Sequence, residues 1–370
     1  MKYSDFKTCR LELANGMVFP GYAFGAAVGA SGETVFSTAM VGYPETLTDP
    51  SFEGQLLCVT YPLIGNYGVP AARLDADGLQ ATFESEAIHV RALIISDLSF
   101  DFSHWSAAQS LDGWLREQGI PGIWGVDTRR LTQVLREDGS MLGRLVQDGE
   151  EPRPFDDPNV TNLVAVASCR EVIRYNAGAA KKVVLVDCGV KHNIIRCLLK
   201  TGVEVIRVPW DYDFNADESM SGYDGLFISN GPGNPDCCGA AVEHIRQAMD
   251  IGRPVFGICM GNQLLAKAAG AKTYKLRYGH RGHNQPVRMV GSDHCFITSQ
   301  NHGYAVDEKT LPADWEPLFI NLNDGTNEGI RYLNKPAYSV QFHPEACGGP
   351  KDSEFLFDMF IKMMEDKEEK

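Results

Sequence analysis

The second half of the chain alternates short apolar runs with segments of helical patterning. The apolar runs are KKVVLVDCGV (181–190), VEVIRVPW (203–210), DGLFISN (224–230) and RPVFGICM (253–260). The segments between and after them are KHNIIRCLLKTG, CGAAVEHIRQAMDIG and NQLLAKAAG. Buried strands that alternate with helices predict a mainly parallel sheet covered by helices on both faces. In such a sheet, sites form at the carboxyl ends of the strands.

The first 150 residues have a different rhythm. Two β-like runs stand out, QLLCVTYPLIG (55–65) and HVRALIISDLS (89–99), and two segments are patterned as helices, 106–119 and 128–139. The polar, proline-rich stretch QDGEEPRPFDDPNV that follows is typical of an exposed connection. Because 370 residues favour two domains, we predict an α/β protein with a mixed α/β domain over 1–150, a connection over 151–180 and the parallel-sheet domain over 181–370.

The pattern loosens after about residue 284 into the β-like pieces NQPVRMV, CFITSQNHGYAV and AYSVQFHPE. The chain closes with SEFLFDMFIKMMEDKEEK, in which apolar residues fall at helical spacing. This end predicts a packed amphipathic helix followed by a solvated Lys/Glu tail.

Composition and charge narrow the function classes. The formal charge of -14 argues against nucleic acid as a partner, since phosphate binding needs clustered Lys and Arg. Apolar runs fall short of the roughly 20 residues that span a bilayer, and the polar start, MKYSDFKTCR, does not fit a signal peptide. We therefore expect a cytoplasmic protein without a membrane partner. The ten cysteines lack regular spacing, so most are interpreted as small buried hydrophobes.

One cysteine stands in a distinctive place. Gly257-Ile258-Cys259-Met260-Gly261 has the spacing of a nucleophile elbow, where glycines allow a tight turn from strand to helix. A helix N-terminus there would offer backbone N–H groups to a developing oxyanion. The alternative is a buried thiol at the end of a strand, and the elbow alone does not decide between the two.

A base for such a thiol occurs 84 residues later, in SVQFHPEA (339–346). Pro344 favours an extended conformation at His343, which brings Glu345 to the same side as the histidine. A histidine oriented by a carboxylate is the activating group that a cysteine nucleophile needs. His302, in QNHGY, is a competing base, but it has no carboxylate two residues away.

The turn SNGPGNP (229–235) follows the DGLFI strand directly. Its glycines, Gly231 and Gly233, let backbone N–H groups approach a ligand closely. Nucleotide-binding glycine motifs are missing from the sequence. We therefore interpret the turn as a second oxyanion donor beside Cys259, with an ordinary strand-to-helix turn as the alternative.

Metal binding has little support in the sequence. His280-x-x-His283 has no Cys or carboxylate at ligand spacing, and Cys237-Cys238 is an adjacent pair. We expect these histidines to make structural or interface hydrogen bonds, and we expect no metal.

The three motifs GPGNP, GICMGNQ and FHPE, in this order, resemble the class I (triad) glutamine amidotransferase domain over about 181–365. The resemblance implies that Cys259 is the nucleophile, His343 the acid/base and Glu345 its orienter. Further stretches resemble the small, glutamine-hydrolysing subunits of carbamoyl-phosphate synthetases: VGYPETLTDPSFEGQLLCVTYPLIGNYG (41–68), VDCGVKHNIIRCL (186–198), RYGHRGHNQPV and SQNHGYAVD. The likeness covers nearly the whole chain.

This resemblance also implies a set of glutamine-binding residues: Ser51, Gly231, Gly233, Met260, Gln263, Asn301, Gly303 and Tyr304. The family more often has Leu where Met260 stands, His where Asn262 stands and Phe where Tyr304 stands. None of these departures removes a reacting group. Asn262 is expected to point along the start of the helix and to have no part in the triad.

The resemblance implies a partner as well. A large synthetase subunit, joined with this chain in a hetero-oligomer, would use ATP, Mg²⁺ and bicarbonate and would receive ammonia through a tunnel. No cofactor is expected on this chain, and its amino-terminal domain is our candidate for the docking surface. The product would serve arginine or pyrimidine biosynthesis.

Three other functions compete with this interpretation. The first is an amidotransferase subunit for anthranilate, GMP or CTP synthesis, which the TDPSF domain disfavours. The second is a non-catalytic regulatory subunit, which the intact Cys/His/Glu set disfavours. The third is a cysteine hydrolase that acts alone on peptides or γ-glutamyl compounds, which activity without any partner would support.

Overall fold

The computed structural model describes residues 6–365. It divides into two compact units, Met1–Thr161 and Asn162–Lys370, so the division falls inside the predicted connection over 151–180. No helix in the described range combines the length and apolarity that a membrane span requires.

The first unit is built on a closed barrel. Its strands, in chain order, are β1 (Thr8–Leu13), β2 (Val18–Gly25), β3 (Ala30–Ser37), β4 (Gln55–Val59), β5 (Leu63–Ile64), β6 (Val69–Pro70), β7 (Ala92–Ile94), β8 (Asp97–Leu98), β9 (Ala107–Gln109), β10 (Pro121–Trp124) and β11 (Met141–Gln147). The barrel order is β1-β11-β3-β4-β7-β10-β2, and β5 pairs with β8 and β6 with β9 outside it. Both predicted β-like runs are therefore strands, each interrupted by a turn.

The helices of this unit are α1 (Tyr43–Leu47), α2 (Leu111–Glu117) and α3 (Thr128–Asp138). The second predicted helix has its expected bounds because Gly139, at φ 99°, ends it. The first predicted helix, over 106–119, is too long at its start. The Ser110 hydroxyl caps α2 by accepting from the Gly113 N–H, and the residues before it form β9.

The second unit contains a large mixed sheet. Its elements are α4 (Leu163–Ala167), β12 (Ile173–Tyr175), β13 (Lys182–Asp187), α5 (His192–Lys200), β14 (Glu204–Pro209), β15 (Gly225–Ile228), α6 (Gly239–Asp250), β16 (Val255–Ile258), α7 (Met260–Ala269), β17 (Lys272–Met289), β18 (Cys295–Asp307), β19 (Trp315–Asn321), β20 (Asn327–Tyr332), β21 (Ala337–Val340) and α8 (Phe355–Glu365). In the described part of the chain the strand order is β12-β14-β13-β15-β16-β21-β20-β19-β17-β18.

The predicted parallel sheet is confirmed at the centre of this order. Strands β14, β13, β15, β16 and β21 pair in parallel. The looser β-like pieces extend the sheet on one side by antiparallel pairing, from β20 to β18. The carboxyl ends of β15, β16 and β21 are consequently neighbours along one edge.

Helices cover both faces of the central strands, as the alternation of apolar runs predicts. On one face, Leu226 and Ile228 join the core formed with α6 and α7. On the other face, the ring of Phe227 stacks on Phe357 and meets Phe360 edge-on, which confirms α8 as a packed amphipathic helix. The predicted Lys/Glu tail lies outside the described residues.

Candidate active site

Cys259 occupies a strained turn between β16 and α7. Its φ of 55° is in a region that non-glycine residues rarely adopt. Its backbone N–H donates to the Val340 carbonyl at 2.8 Å. A Cβ at Gly257 would lie 2.5 Å from the Gly261 carbonyl oxygen, and one at Gly261 would lie 2.2 Å from that of Ile228. Only glycine fits these two positions, so the elbow geometry follows from the local sequence.

The thiol itself is 2% exposed and donates to the Asn301 carbonyl at 3.6 Å. It therefore lies at the carboxyl edge of the sheet, between the start of α7 and strand β18. Strain of this kind persists only where the surrounding structure determines it, and it is concentrated at functional sites.

His343 lies just beyond β21, the strand that pairs with β16. Its Nδ1–H donates to Oε1 of Glu345 at 2.7 Å, so these two side chains meet as the i, i+2 spacing predicts. Its Nε2 has no conventional hydrogen-bond partner in the described part of the chain and is the nitrogen left for the Cys259 thiol. Burial lowers the pKa of His343, but the Glu345 carboxylate and the Cys259 contact outweigh it and raise the pKa to about 10.

The structure adds Lys191, which sequence reasoning missed. This residue precedes α5 and is 7% exposed. Its Nζ donates to the same Glu345 oxygen, Oε1, at 2.8 Å. Burial raises the pKa of Glu345, but Lys191 and then His343 lower it to about 2. The signal available in the sequence was its place after the DCGV strand, at the same sheet edge as Cys259.

The predicted oxyanion turn follows β15 directly. A Cβ at Gly231 would lie 2.1 Å from the Cys188 carbonyl oxygen, so the close backbone approach needs glycine. Gly233 has φ 85°, which also favours glycine. The Gly261 N–H donates to the Ser229 carbonyl at 3.0 Å and ties this turn to the elbow. The two predicted sources of backbone N–H donors are thus side by side.

Several predicted glutamine ligands gather around the elbow. Met260 is the first residue of α7, and Asn301, Gly303 and Tyr304 lie on β18. The Gln263 amide donates to the Tyr304 carbonyl at 3.0 Å. Ser51 belongs to the first unit, in a short turn where its N–H donates to Asp49 at 2.9 Å. The binding roles of these residues stay predictions.

The competing base, His302, is engaged elsewhere. Its Nδ1 lies 2.9 Å from the Tyr304 carbonyl and its Nε2 3.2 Å from Gln300. Burial lowers its pKa well below the ordinary value. The histidine that interacts with Cys259 and a carboxylate is therefore His343.

One group of side chains in the described part of the chain has the spacing of a metal site. His280, His302 and Glu328 each have a potential ligand atom there, and these atoms lie within 4.8 Å of one another. His280 also contacts Asp324 at 2.8 Å. Burial lowers the pKa of His280, but Asp324 and Glu328 raise it to about 9. A proton on His280 thus accounts for the cluster as an ion-paired network. His283, for which the sequence predicts a structural or interface hydrogen bond, has its Nδ1 2.9 Å from the Ser299 hydroxyl.

Comparison with known proteins agrees with this architecture. The family model described as glutamine amidotransferase class-I matches residues 184–363. The second unit, with its parallel sheet, cysteine elbow and His/Glu pair, is thus a class I glutamine amidotransferase domain. A second model, carbamoyl-phosphate synthase small chain, CPSase domain, matches residues 11–145.

Relatives that match over nearly the whole of this chain define the family further. The carbamoyl phosphate synthase arginine-specific small chain of Saccharomyces cerevisiae is 49% identical, over 95% of this chain and 88% of its own length. The chain therefore belongs to the carbamoyl-phosphate synthase small-chain family. Multifunctional protein pyr-3 of Neurospora crassa is 49% identical over 95% of this chain, and multifunctional protein CAD of Squalus acanthias is 51% identical over 96%. The chain spans about a fifth of the length of these multifunctional relatives, 21% and 16% respectively.

Proposed function

We propose that this chain hydrolyses glutamine to glutamate and ammonia and supplies the ammonia for carbamoyl phosphate synthesis. The observation that carries the proposal is the buried array of Cys259, His343 and Glu345 at the carboxyl edge of the sheet. A strained thiol, a histidine nitrogen left free to face it and a carboxylate on the other ring nitrogen are the parts that thiol-dependent acyl transfer requires.

The first half of the reaction forms a thioester. The proton shared by Cys259 and His343 rests on Nε2 of His343, and the Sγ thiolate attacks the side-chain carbonyl carbon of glutamine. Backbone N–H groups near Gly231 and Met260 stabilise the tetrahedral oxyanion, and losing one such donor would slow the reaction by about a hundredfold. His343 then protonates the departing nitrogen, the C–N bond breaks, and ammonia leaves a γ-glutamyl thioester on Cys259.

The second half restores the enzyme. Nε2 of His343 takes a proton from water as the water oxygen attacks the thioester carbonyl. The C–S bond breaks, glutamate leaves, and the proton on His343 is shared again with the sulfur. Glu345 holds the ring in one orientation and stabilises its cationic form throughout, because its Oε1 accepts from Nδ1.

The ammonia acceptor would be a separate synthetase. Membership of a family of small chains supports a larger partner subunit. That partner would bind ATP, Mg²⁺ and bicarbonate, receive the ammonia through a tunnel and form a hetero-oligomer with this chain. The barrel unit, which none of the predicted reacting groups belongs to, is our candidate for much of the docking surface.

Reconstitution with a carbamoyl-phosphate synthetase large subunit tests the proposal. We expect glutamine-dependent carbamoyl phosphate formation, which C259S abolishes while ammonia-dependent synthesis continues. An equal loss of ammonia-dependent synthesis in C259S would contradict the ammonia-supplying role. Glutamine hydrolysis that neither needs nor responds to the partner would favour a cysteine hydrolase that acts alone.

A further inference from the structure

Three buried polar side chains, at alternate positions, run from the end of β21 to His343. Ser339, Gln341 and His343 occupy alternate positions, and each is at most 2% exposed. The residues between them, Val340 and Phe342, are apolar and fully buried. Ser339 lies in β21 and Gln341 follows its last residue, and both contact Asn262, so these two polar groups face the start of α7. At the end of a central strand of a covered sheet such buried polar groups are unexpected, since both faces of the strand are normally apolar.

The first turn of α7 meets this row with its own polar groups. The Ser339 hydroxyl donates to Oδ1 of Asn262 at 2.8 Å, and Nδ2 of Asn262 donates to Oε1 of Gln341 at 3.0 Å. Gln263 donates to the same Gln341 oxygen at 3.2 Å. Asn262 is fully buried. Its side chain thus points at β21, and the expectation that it points along the helix start is wrong.

The orientation of the Asn262 amide is determined by these contacts. Turning the amide over would place its oxygen against Oε1 of Gln341, where two acceptors would meet. A buried polar network stabilises a fold little in comparison with apolar packing, and it mainly specifies a single arrangement. Here one donor, Nε2 of Gln341, has no partner among the described residues. The network therefore specifies the position of α7 against β21 more than it adds stability.

That position is the one on which the chemistry depends. Cys259 immediately precedes α7, and His343 lies three residues beyond the last residue of β21. The backbone N–H of Cys259 already joins Val340 at 2.8 Å. Asn262, one helical turn past the thiol, adds side-chain contacts on the row that ends in His343. The contacts between α7 and β21 therefore fix the strained turn at Cys259 relative to His343.

We propose that Asn262, Ser339 and Gln341 are positioning residues that hold the Cys259 sulfur at the right distance from Nε2 of His343. The inference rests on the proposed glutamine hydrolysis, because it gives these residues a role in that reaction. An Asn at position 262 can be replaced by His, since an imidazole also offers one donor to Gln341 and one acceptor to Ser339.

The test compares N262L with N262H in the complex with a large subunit. Steady-state kinetics would give kcat and KM for glutamine, and alkylation of the Cys259 peptide by iodoacetamide, followed by mass spectrometry from pH 5 to 9, would report the thiolate. We expect kcat of N262L to fall by about a hundredfold, as for a reacting group misplaced by about 1 Å. KM should stay within about threefold, since no predicted contact to glutamine is removed. Alkylation below pH 7 should fall by about tenfold, because the thiolate is the reactive form.

Two further variants keep the test decisive. S339A deletes a single bond of the network and should give a smaller change of the same kind, even if N262L folds poorly. The matched control is S168A. It removes another buried hydroxyl of the second unit, one that accepts from the Trp210 N–H at 3.0 Å. Its alkylation profile should match that of the unchanged protein, and N262H should restore most of the activity.

The positioning role is overturned if N262L keeps both kcat and the low-pH alkylation within about twofold of the unchanged protein. It is also overturned if N262L and S168A lose activity alike, in step with their melting temperatures. Failure of the proposed function would look different. The unchanged protein would then hydrolyse no glutamine. The pH dependence of Cys259 alkylation would still show whether the variants differ in thiolate content.

Discussion

Lys191 and His343 donate to the same oxygen of Glu345. Nζ of Lys191 lies 2.8 Å from Oε1, and Nδ1 of His343 lies 2.7 Å from it. Two cationic groups, far apart in the sequence of the second unit, thus share one fully buried carboxylate. Lys191 lowers the pKa of both partners, whereas Glu345 raises that of His343. The lysine moderates how tightly the histidine holds its proton.

Replacing Lys191 with a neutral residue should shift the pH dependence of kcat/KM for glutamine in a defined direction. In K191M the pKa of His343 rises, because the ammonium that lowers it is gone. A more tightly held proton is transferred to departing ammonia more slowly, so kcat should fall by about tenfold. The alkaline limb of kcat/KM for glutamine should move to higher pH. K200M is the control, since Lys200 forms an exposed ion pair with Glu354. A shift of the alkaline limb to lower pH in K191M would contradict this role.

The opposite change is expected in E345Q. The amide still fits the space, but the charge that raises the pKa of His343 is lost, while burial and Lys191 continue to lower it. The imidazolium form becomes scarce at neutral pH, and kcat should fall by about a thousandfold. Breaking a buried ion pair also leaves Lys191 uncompensated, at about 3 kcal/mol. Retention of kcat within about tenfold in E345Q, measured at saturating glutamine, would show that the charge is dispensable.

The parts of the site that the sequence predicts are those encoded over a few residues. Glycine spacing defines the elbow around Cys259, and an i, i+2 pair in an extended stretch brings His343 to Glu345. Alternating apolar runs likewise predict the central parallel strands, because each run is a complete local signal.

The features that the sequence does not predict depend on distant contacts. The bond between Lys191 and Glu345 joins residues 154 positions apart, and nothing in the pattern around Lys191 indicates its partner. The barrel of the first unit closes through pairing of β1 with β11, at opposite ends of that unit. Asn262 lies in a helix whose exposed and buried sides are set by packing, so its contact with Gln341 could not be predicted from spacing.

The raised pKa of His343 also predicts how stability depends on pH. Below about 6.5 the folded and unfolded states both hold the proton, and the full stabilisation by Glu345 is present. Between about 6.5 and about 10 only the folded state holds it, so stability falls as pH rises, by at most about 1.4 kcal/mol per pH unit. The difference in unfolding free energy between the unchanged protein and H343Q should therefore be largest near pH 6.

Urea-induced unfolding at pH 6, 8 and 9.5 measures that difference. It should shrink steadily towards pH 9.5, whereas H294Q, at an exposed histidine, should show no such trend. A difference that stays constant or grows with pH would mean that His343 is not held as a cation in the folded state.

The backbone strain at Cys259 predicts an unusual order of stabilities. Ala stabilises a helix interior more than Gly does, but Cys259 is the N-cap of α7 at φ 55°, where Gly is favoured because a Cβ is strained there. C259G should therefore be more stable than C259A by about 1 kcal/mol, although neither retains the thiol. Ala266, fully buried in α7, supplies the control, since A266G should lose about 1 kcal/mol. Chemical denaturation of the three variants would give the order directly. If C259A proved more stable than C259G, the backbone at residue 259 would not be strained.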